Sequence, residues 1–119
     1  MKRLLVLSTF ILAACSSAAE RQHIELMEQV EKRVQLPKGS ERLDQYARYY
    51  AADGNRIVAT YITLVDPGNR YYDLPVGQQR WLDDHRNLPA VSDGGCSIVN
   101  VVYDPKAPSV PEAFCNGVA

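Results

Sequence analysis

Residues 56–65, "RIVATYITLV", are the most strand-like run in the chain, filled with β-branched and aromatic side chains and free of glycine and proline. Such residues suit a pleated, half-buried surface and lose rotamer freedom in a helix. Immediately upstream lie the turn signal Asp53-Gly54-Asn55 and, before it, the tyrosine-rich "LDQYARYYA" at 43–51. Two such runs flanking so short a turn predict a β-hairpin. Downstream, Asp66-Pro67-Gly68-Asn69 makes another tight turn, so "RYYDLP" at 70–75 is expected to pair back as a short third strand. "CSIVNVVYD" at 96–104 reads as a further strand, entered through Ser92-Asp93-Gly94-Gly95. "GQQRWLDDHRNLP" at 77–89 has no clean period and is read as irregular structure with one helical turn. Near the end, Pro105, Pro108 and Pro111 cannot donate to a ladder, so the chain should run extended or looped as far as Phe114.

Working back towards the start, "ERQHIELMEQVEKRVQ" at 20–35 changes period. Ile24, Met27, Val30 and Val34 recur every three to four residues among charges, which predicts an amphipathic helix ended by Pro37 and Gly39. The stripe is narrow and is expected to pack on the chain's own sheet rather than on a partner or a lipid surface. The fold class is therefore α+β: one N-terminal helix on a small antiparallel sheet of three to five strands.

The first stretch has a different character. Lys2 and Arg3 precede a short apolar run from Leu4 to Ala13, broken only by Ser8 and Thr9, and Ala14, Cys15 and the polar Ser16-Ser17 follow it. About 20 apolar residues are needed to cross a bilayer, so the run is too short for a span and has the pattern of an export signal. Leu12-Ala13-Ala14-Cys15 resembles the lipobox of bacterial lipoproteins. That resemblance implies cleavage before Cys15, diacylglycerol on its sulfur and an acyl chain of the palmitate type on the new N-terminus. Ser16 at the next position implies sorting to the outer membrane, facing the periplasm. Two or more acyl chains hold a protein to a bilayer firmly, where one does so only marginally. The expected organisation is a signal at 1–14, a short lipidated tether at 15–19 and one domain at 20–119.

Cysteine arithmetic follows from that reading. Of three cysteines, lipidation consumes Cys15, leaving Cys96 and Cys115 to pair outside the cytoplasm. Closing the 18 residues between them is expected to stabilise the fold by about 3 kcal/mol. The sharper alternative makes Cys96, in "DGGCS", a nucleophile activated by His85, but a free thiol in an oxidising compartment needs special protection.

The 105 residues from Cys15 onward are one domain's worth, and they carry 14 acidic against 11 basic residues, a net of −3. Nothing in that balance suggests nucleic acid. With two histidines and no spaced Cys/His cluster, no metal or cofactor is expected, and no catalytic set stands out. His85 in "LDDHRN" is the candidate general base if Asp83 or Asp84 orients it, which would make a small periplasmic hydrolase or transferase; a solvated turn is the plainer reading. His23, on a charged helix, is a weaker candidate. Tyr49, Tyr61, Tyr72 and Trp81, interleaved with Arg48 and Arg70, have the composition of a binding surface, although tyrosines equally suit half-buried strands.

"YARYY", "DGGCSIVNVVYD" and "CNGVA" are together similar to a group of small exported proteobacterial proteins, a resemblance that implies no particular activity. Periplasmic lysozyme inhibitors share the format of lipid anchor, β-rich body and single disulfide, without their inhibitory motif being present here. The expectation is a non-enzymatic, lipid-anchored envelope protein that engages the membrane through its lipid and a protein partner or peptidoglycan through its body.

Overall fold

The computed structural model describes residues 11–69, 72–107 and 109–117, with side chains from residue 18 onward. One helix, α1 (Ile11–Arg33), lies on a five-stranded sheet. Met27 and Val30 of the predicted stripe are buried, Val34 packs at their flank, and Ile24 stays 44 % exposed. Lys32 and Arg33 occupy the last turn, where cations favour the negative end of the helix dipole. Beyond it Gly39 takes φ +92°, a left-handed conformation that suits glycine. The helix also runs through residues 15–19, where a tether was expected. Ala18, Ala19 and Glu20 are good helix formers, and nothing in that run breaks a helix.

The strands are β1 (Ala47–Asp53), β2 (Arg56–Ile62), β3 (Gln79–Leu82), β4 (Ile98–Tyr103) and β5 (Glu112–Cys115), ordered β3-β1-β2-β4-β5. The β1–β2 hairpin closes where Asp53 faces Arg56, with Gly54 at φ +58° in the first turn position. That is where a type II′ turn places glycine. β2 pairs antiparallel with β4, and β4 with β5, whose strand begins directly after Pro111.

The sheet is mixed rather than purely antiparallel, because β3 runs parallel to β1. Two expectations are corrected by this strand. Residues 72–75 form no strand, and 70–71 lie outside the described residues; Asp66 N–H instead bonds Tyr72 O at 2.8 Å and Tyr72 N–H bonds Asn69 O at 2.8 Å, closing a compact loop. Gln79–Leu82, read as irregular, is the strand that covers the open side of β1. β2 carries the chain back to the start of β1, and residues 63–78 pass from Ile62 to the start of β3 at that same end of the sheet, which makes β3 parallel to β1 without a direct crossover. The expected helical turn follows as a 3₁₀ turn at His85–Asn87.

Side chains alternate between two cores. Facing α1 are Tyr46 and Tyr50 of the β1 arm, Ile57, Ala59 and Tyr61 of β2, and Val99, Val101 and Tyr103 of β4. The opposite face buries Ala47, Tyr49, Ile62 and Ile98 beneath Leu74, with Tyr72, Leu82, Leu88 and Val91 of the two long loops packed around them. β1 is thus buried on both faces. Cys96 and Cys115 are bonded, their Cα atoms 4.6 Å apart, within the 4.4–6.8 Å span that disulfides allow.

Candidate functional site

The pairing register brings Gln79, Arg48 and Tyr61 side by side across the sheet, on the face that α1 covers. Glu31 comes down from the helix onto this row. Arg48 Nη2 lies 3.2 Å from Glu31 Oε1, with the side chains 10 % and 17 % exposed respectively. Tyr50 donates to Glu31 Oε2 at 2.8 Å and shares a 2.6 Å hydrogen bond with the Tyr61 hydroxyl. Gln79, with its amide nitrogen turned to the carboxylate, donates to Oε2 at 2.6 Å. Arg48 Nη1 donates to the carbonyls of Leu43 at 3.0 Å and Tyr46 at 3.4 Å, while its buried Nε has no partner among the described residues.

Burial corrects the surface reading of Arg48, Tyr49 and Tyr61. Arg48 is 8 % exposed, and Tyr49 and Tyr61 are fully buried, so none of the three presents a side chain to a ligand. Tyr49 works on the other face, where its hydroxyl accepts the Leu74 N–H at 3.0 Å. The cluster fastens helix to sheet instead.

Burial pushes the Tyr50 hydroxyl far above its ordinary range, reinforced by Tyr61 and the negative Glu31; burial raises Tyr61 and Tyr49 as well. A folded-state pKa above the unfolded value means the native chain holds protons that the unfolded chain releases. Stability from these groups is complete below pH ~10 and is lost as pH rises beyond it. Tyrosinate absorbance at 295 nm should therefore appear cooperatively with loss of the far-ultraviolet dichroism of the sheet. A smooth titration of all seven tyrosines in a folded protein would contradict it.

Of the clefts open to solvent among the described residues, two bear on the candidate site. The larger, about 580 Å³, lies beside the disulfide between Gly39, Glu41, Gln45, Thr63, Val76 and Ser97. Among the described residues Glu41 is its single charged lining residue, so no set of reactive groups converges there among them. The other, about 390 Å³, lies between the middle of α1 and the edge strand β3. Its wall is His23 stacked on Trp81, ring centroids 4.3 Å apart and planes 7° from parallel. Ile24 and Met27 make an apolar side, and Glu20 and Asp83 stand on the rim. This cleft joins aromatic surface, aliphatic surface and negative charge, the combination that suits a ligand with an apolar stem and a cationic end.

His85 does not meet the carboxylates expected to orient it. Its Nε2 lies 3.6 Å from Asp53 Oδ1 at the β1–β2 turn, both side chains substantially exposed. Asp84 caps the 3₁₀ turn by accepting the Arg86 N–H at 2.9 Å and pairs with the Arg86 guanidinium at 2.8 Å. That guanidinium holds its carboxyl down to about 2. Asp83 turns to the cleft instead. The expected pairing of His85 with Asp83 or Asp84 is therefore not formed among the described residues.

Tyr72 is half-buried and donates to Ala90 O at 3.0 Å, pinning the two back-face loops together. Arg70 and the side chain of Cys15 lie outside the described residues. Of the expected surface, only Trp81 lines a cleft with a ligand-like mixture of groups. The participants missed by sequence reasoning are Glu31, Gln79 and Asp53. Glu31 alone carried a signal: it sits four residues after Met27 and three before Val34, so it is a carboxylate on the buried stripe. Among the described residues no group of three or more His, Cys, Asp or Glu is placed to hold a metal ion.

No family model matches the chain, and no curated protein or solved structure matches it.

Proposed function

We propose that the chain is a lipid-anchored protein of the cell envelope, held through Cys15 in the outer membrane and facing the periplasm, that binds a protein partner or the cell wall without transforming it. The observation that carries this reading is the apolar run ending in Leu12-Ala13-Ala14-Cys15. The Cys96–Cys115 bond supports it, because such bonds persist outside the reducing cytoplasm. Among the described residues no helix is long and apolar enough to cross a membrane.

The helix makes the anchor more intimate than an extended tether would. At 1.5 Å per residue, residues 15–19 advance only about 6 Å along α1. The cleft at Glu20, His23 and Ile24 then lies within reach of the headgroup layer, with the partner approaching along the membrane surface. Mass spectrometry of membrane-extracted protein should find the N-terminus at Cys15 with acyl mass added, and Cys15→Ser should release the protein into the soluble fraction. A soluble, unmodified form beginning elsewhere would defeat the anchor. Photo-crosslinking from position 24 in the intact envelope tests the binding role, and should capture a protein or glycan adduct.

A further inference from the structure

We propose that the free edge of β3 and the cleft it shares with α1 receive an extended, basic segment of a partner protein, which joins the sheet as a sixth strand. This names the partner's chemistry for the binding role above and rests on that role.

The first support is the backbone. Arg48 N–H donates to Gln78 O at 2.9 Å, which sets the phase of the parallel β1–β3 ladder. In such a ladder alternate residues of one strand turn their N–H and C=O to the neighbour. Residues 80 and 82 continue the phase of Gln78, so Gln79 and Trp81 point their backbone groups away from β1. Those outward groups meet no hydrogen-bond partner among the described residues. An open row of this kind is a template for strand addition. β3 contains no proline or glycine, whereas at the opposite edge Pro111 immediately precedes β5.

The second support is independent of the backbone. An added strand would set every other side chain over the face where Trp81, His23 and Ile24 form the cleft. Glu20 and Asp83 stand at its rim, and neither is in an ion pair among the described residues. A lysine or arginine fits there with its methylenes against Ile24 and the Trp81–His23 stack and its charge at the two carboxylates. The same charge disfavours a second copy of this chain, which would bring its own Glu20 and Asp83 to the shared edge.

The test titrates the ¹⁵N-labelled chain from residue 16 onward with a blocked eight-residue peptide of alternating valine and lysine, and in parallel with its valine–glutamate counterpart. The lysine peptide should shift the Gln79 and Trp81 amides and slow their hydrogen exchange, while the glutamate peptide leaves both unchanged. Glu20→Lys with Asp83→Lys, both exposed in the native fold, should weaken the lysine peptide about tenfold or more. A native amide spectrum of that variant shows that the loss is not unfolding. Unaltered Gln79 and Trp81 amides at millimolar peptide, equal binding of the glutamate peptide, or self-association through these amides would each overturn the proposal. The envelope crosslink separates the two levels: an adduct with a non-basic partner or with glycan sinks the sixth strand and leaves the binding role standing, whereas absence of any adduct sinks both.

Discussion

Glu31→Ala is expected to destabilise the fold by about 3–5 kcal/mol, towards the lower figure because Glu31 keeps 17 % exposure. The variant removes the only carboxylate that Arg48 meets in the described structure. The guanidinium then keeps two backbone carbonyls, at 3.0 and 3.4 Å, and must hold its charge under the helix with Nε already unpaired. The Tyr50 hydroxyl and the Gln79 amide lose the same acceptor. A buried donor left unmatched costs about 1–3 kcal/mol, which is why the loss exceeds that of one hydrogen bond.

The paired variant separates cost from contribution. Taking two charges out of water is expensive, so Glu31→Leu with Arg48→Met is expected to lose far less than the sum of the single losses, the remaining loss coming from the Tyr50 and Gln79 donors that Glu31 no longer accepts. Urea unfolding of the parent, Glu31→Leu, Arg48→Met and the double variant completes the cycle and yields the coupling between the two sites. A Glu31→Ala loss below about 1 kcal/mol would mean that the pair is solvated and that apolar packing alone holds α1 to the sheet.

That cluster also explains which parts of the molecule were legible in the sequence. The helix stripe, the hairpin around Gly54, the 98–103 strand and the disulfide each follow from local pattern or from simple pairing. β1 misled, because a strand with a sheet neighbour on both sides and cover on both faces buries every residue from Ala47 to Ala51. The period-2 alternation that marks a half-exposed strand is then absent. Its tyrosines and Arg48 had a surface composition and a core location, since a tyrosine can be buried when its hydroxyl is bonded, as Tyr50 and Tyr61 are to one another.

β3 was illegible for a different reason. "QRWL" has little strand propensity of its own, and the edge of β1, far away in sequence, recruits it through the ladder. "RYYD" has the better composition, yet the bonds between residues 66, 69 and 72 fold the connection between β2 and β3 into a loop. The candidate site inherits this difficulty. Its cleft exists only where a helix residue, His23, stacks on an edge-strand residue, Trp81, and no local spacing brings the two together. The same holds for His85, whose neighbour is Asp53 at the hairpin rather than the two aspartates beside it in the chain.

Removing the disulfide is expected to cost about 2–4 kcal/mol, and the loss should be local in structure although it is global in free energy. Cys115 ends β5 opposite Val99, while Cys96 lies in the turn that enters β4. The bond therefore closes a loop that contains β4, the proline-rich arm and β5. β4 keeps its ladder with β2 along six residue pairs when the bond is cut, so four strands remain joined. β5 has four pairs, on one side only, and half-exposed or exposed side chains throughout, so it is the element that frays. The chain after α1 should loosen with it, because Lys38 O lies 3.7 Å from Cys96 Sγ and Ser40 Oγ lies 3.9 Å from Cys115 Sγ. In Cys96→Ser/Cys115→Ser, amide exchange should accelerate at 112–116 and 38–40 relative to β1 and β2, alongside the lower urea midpoint. Equal stability with unchanged exchange in β5 would show that the ladder holds the arm unaided. Two titratable thiols per chain in denatured, unreduced protein would show that the bond is not formed, and would return Cys96 to consideration as a reactive group.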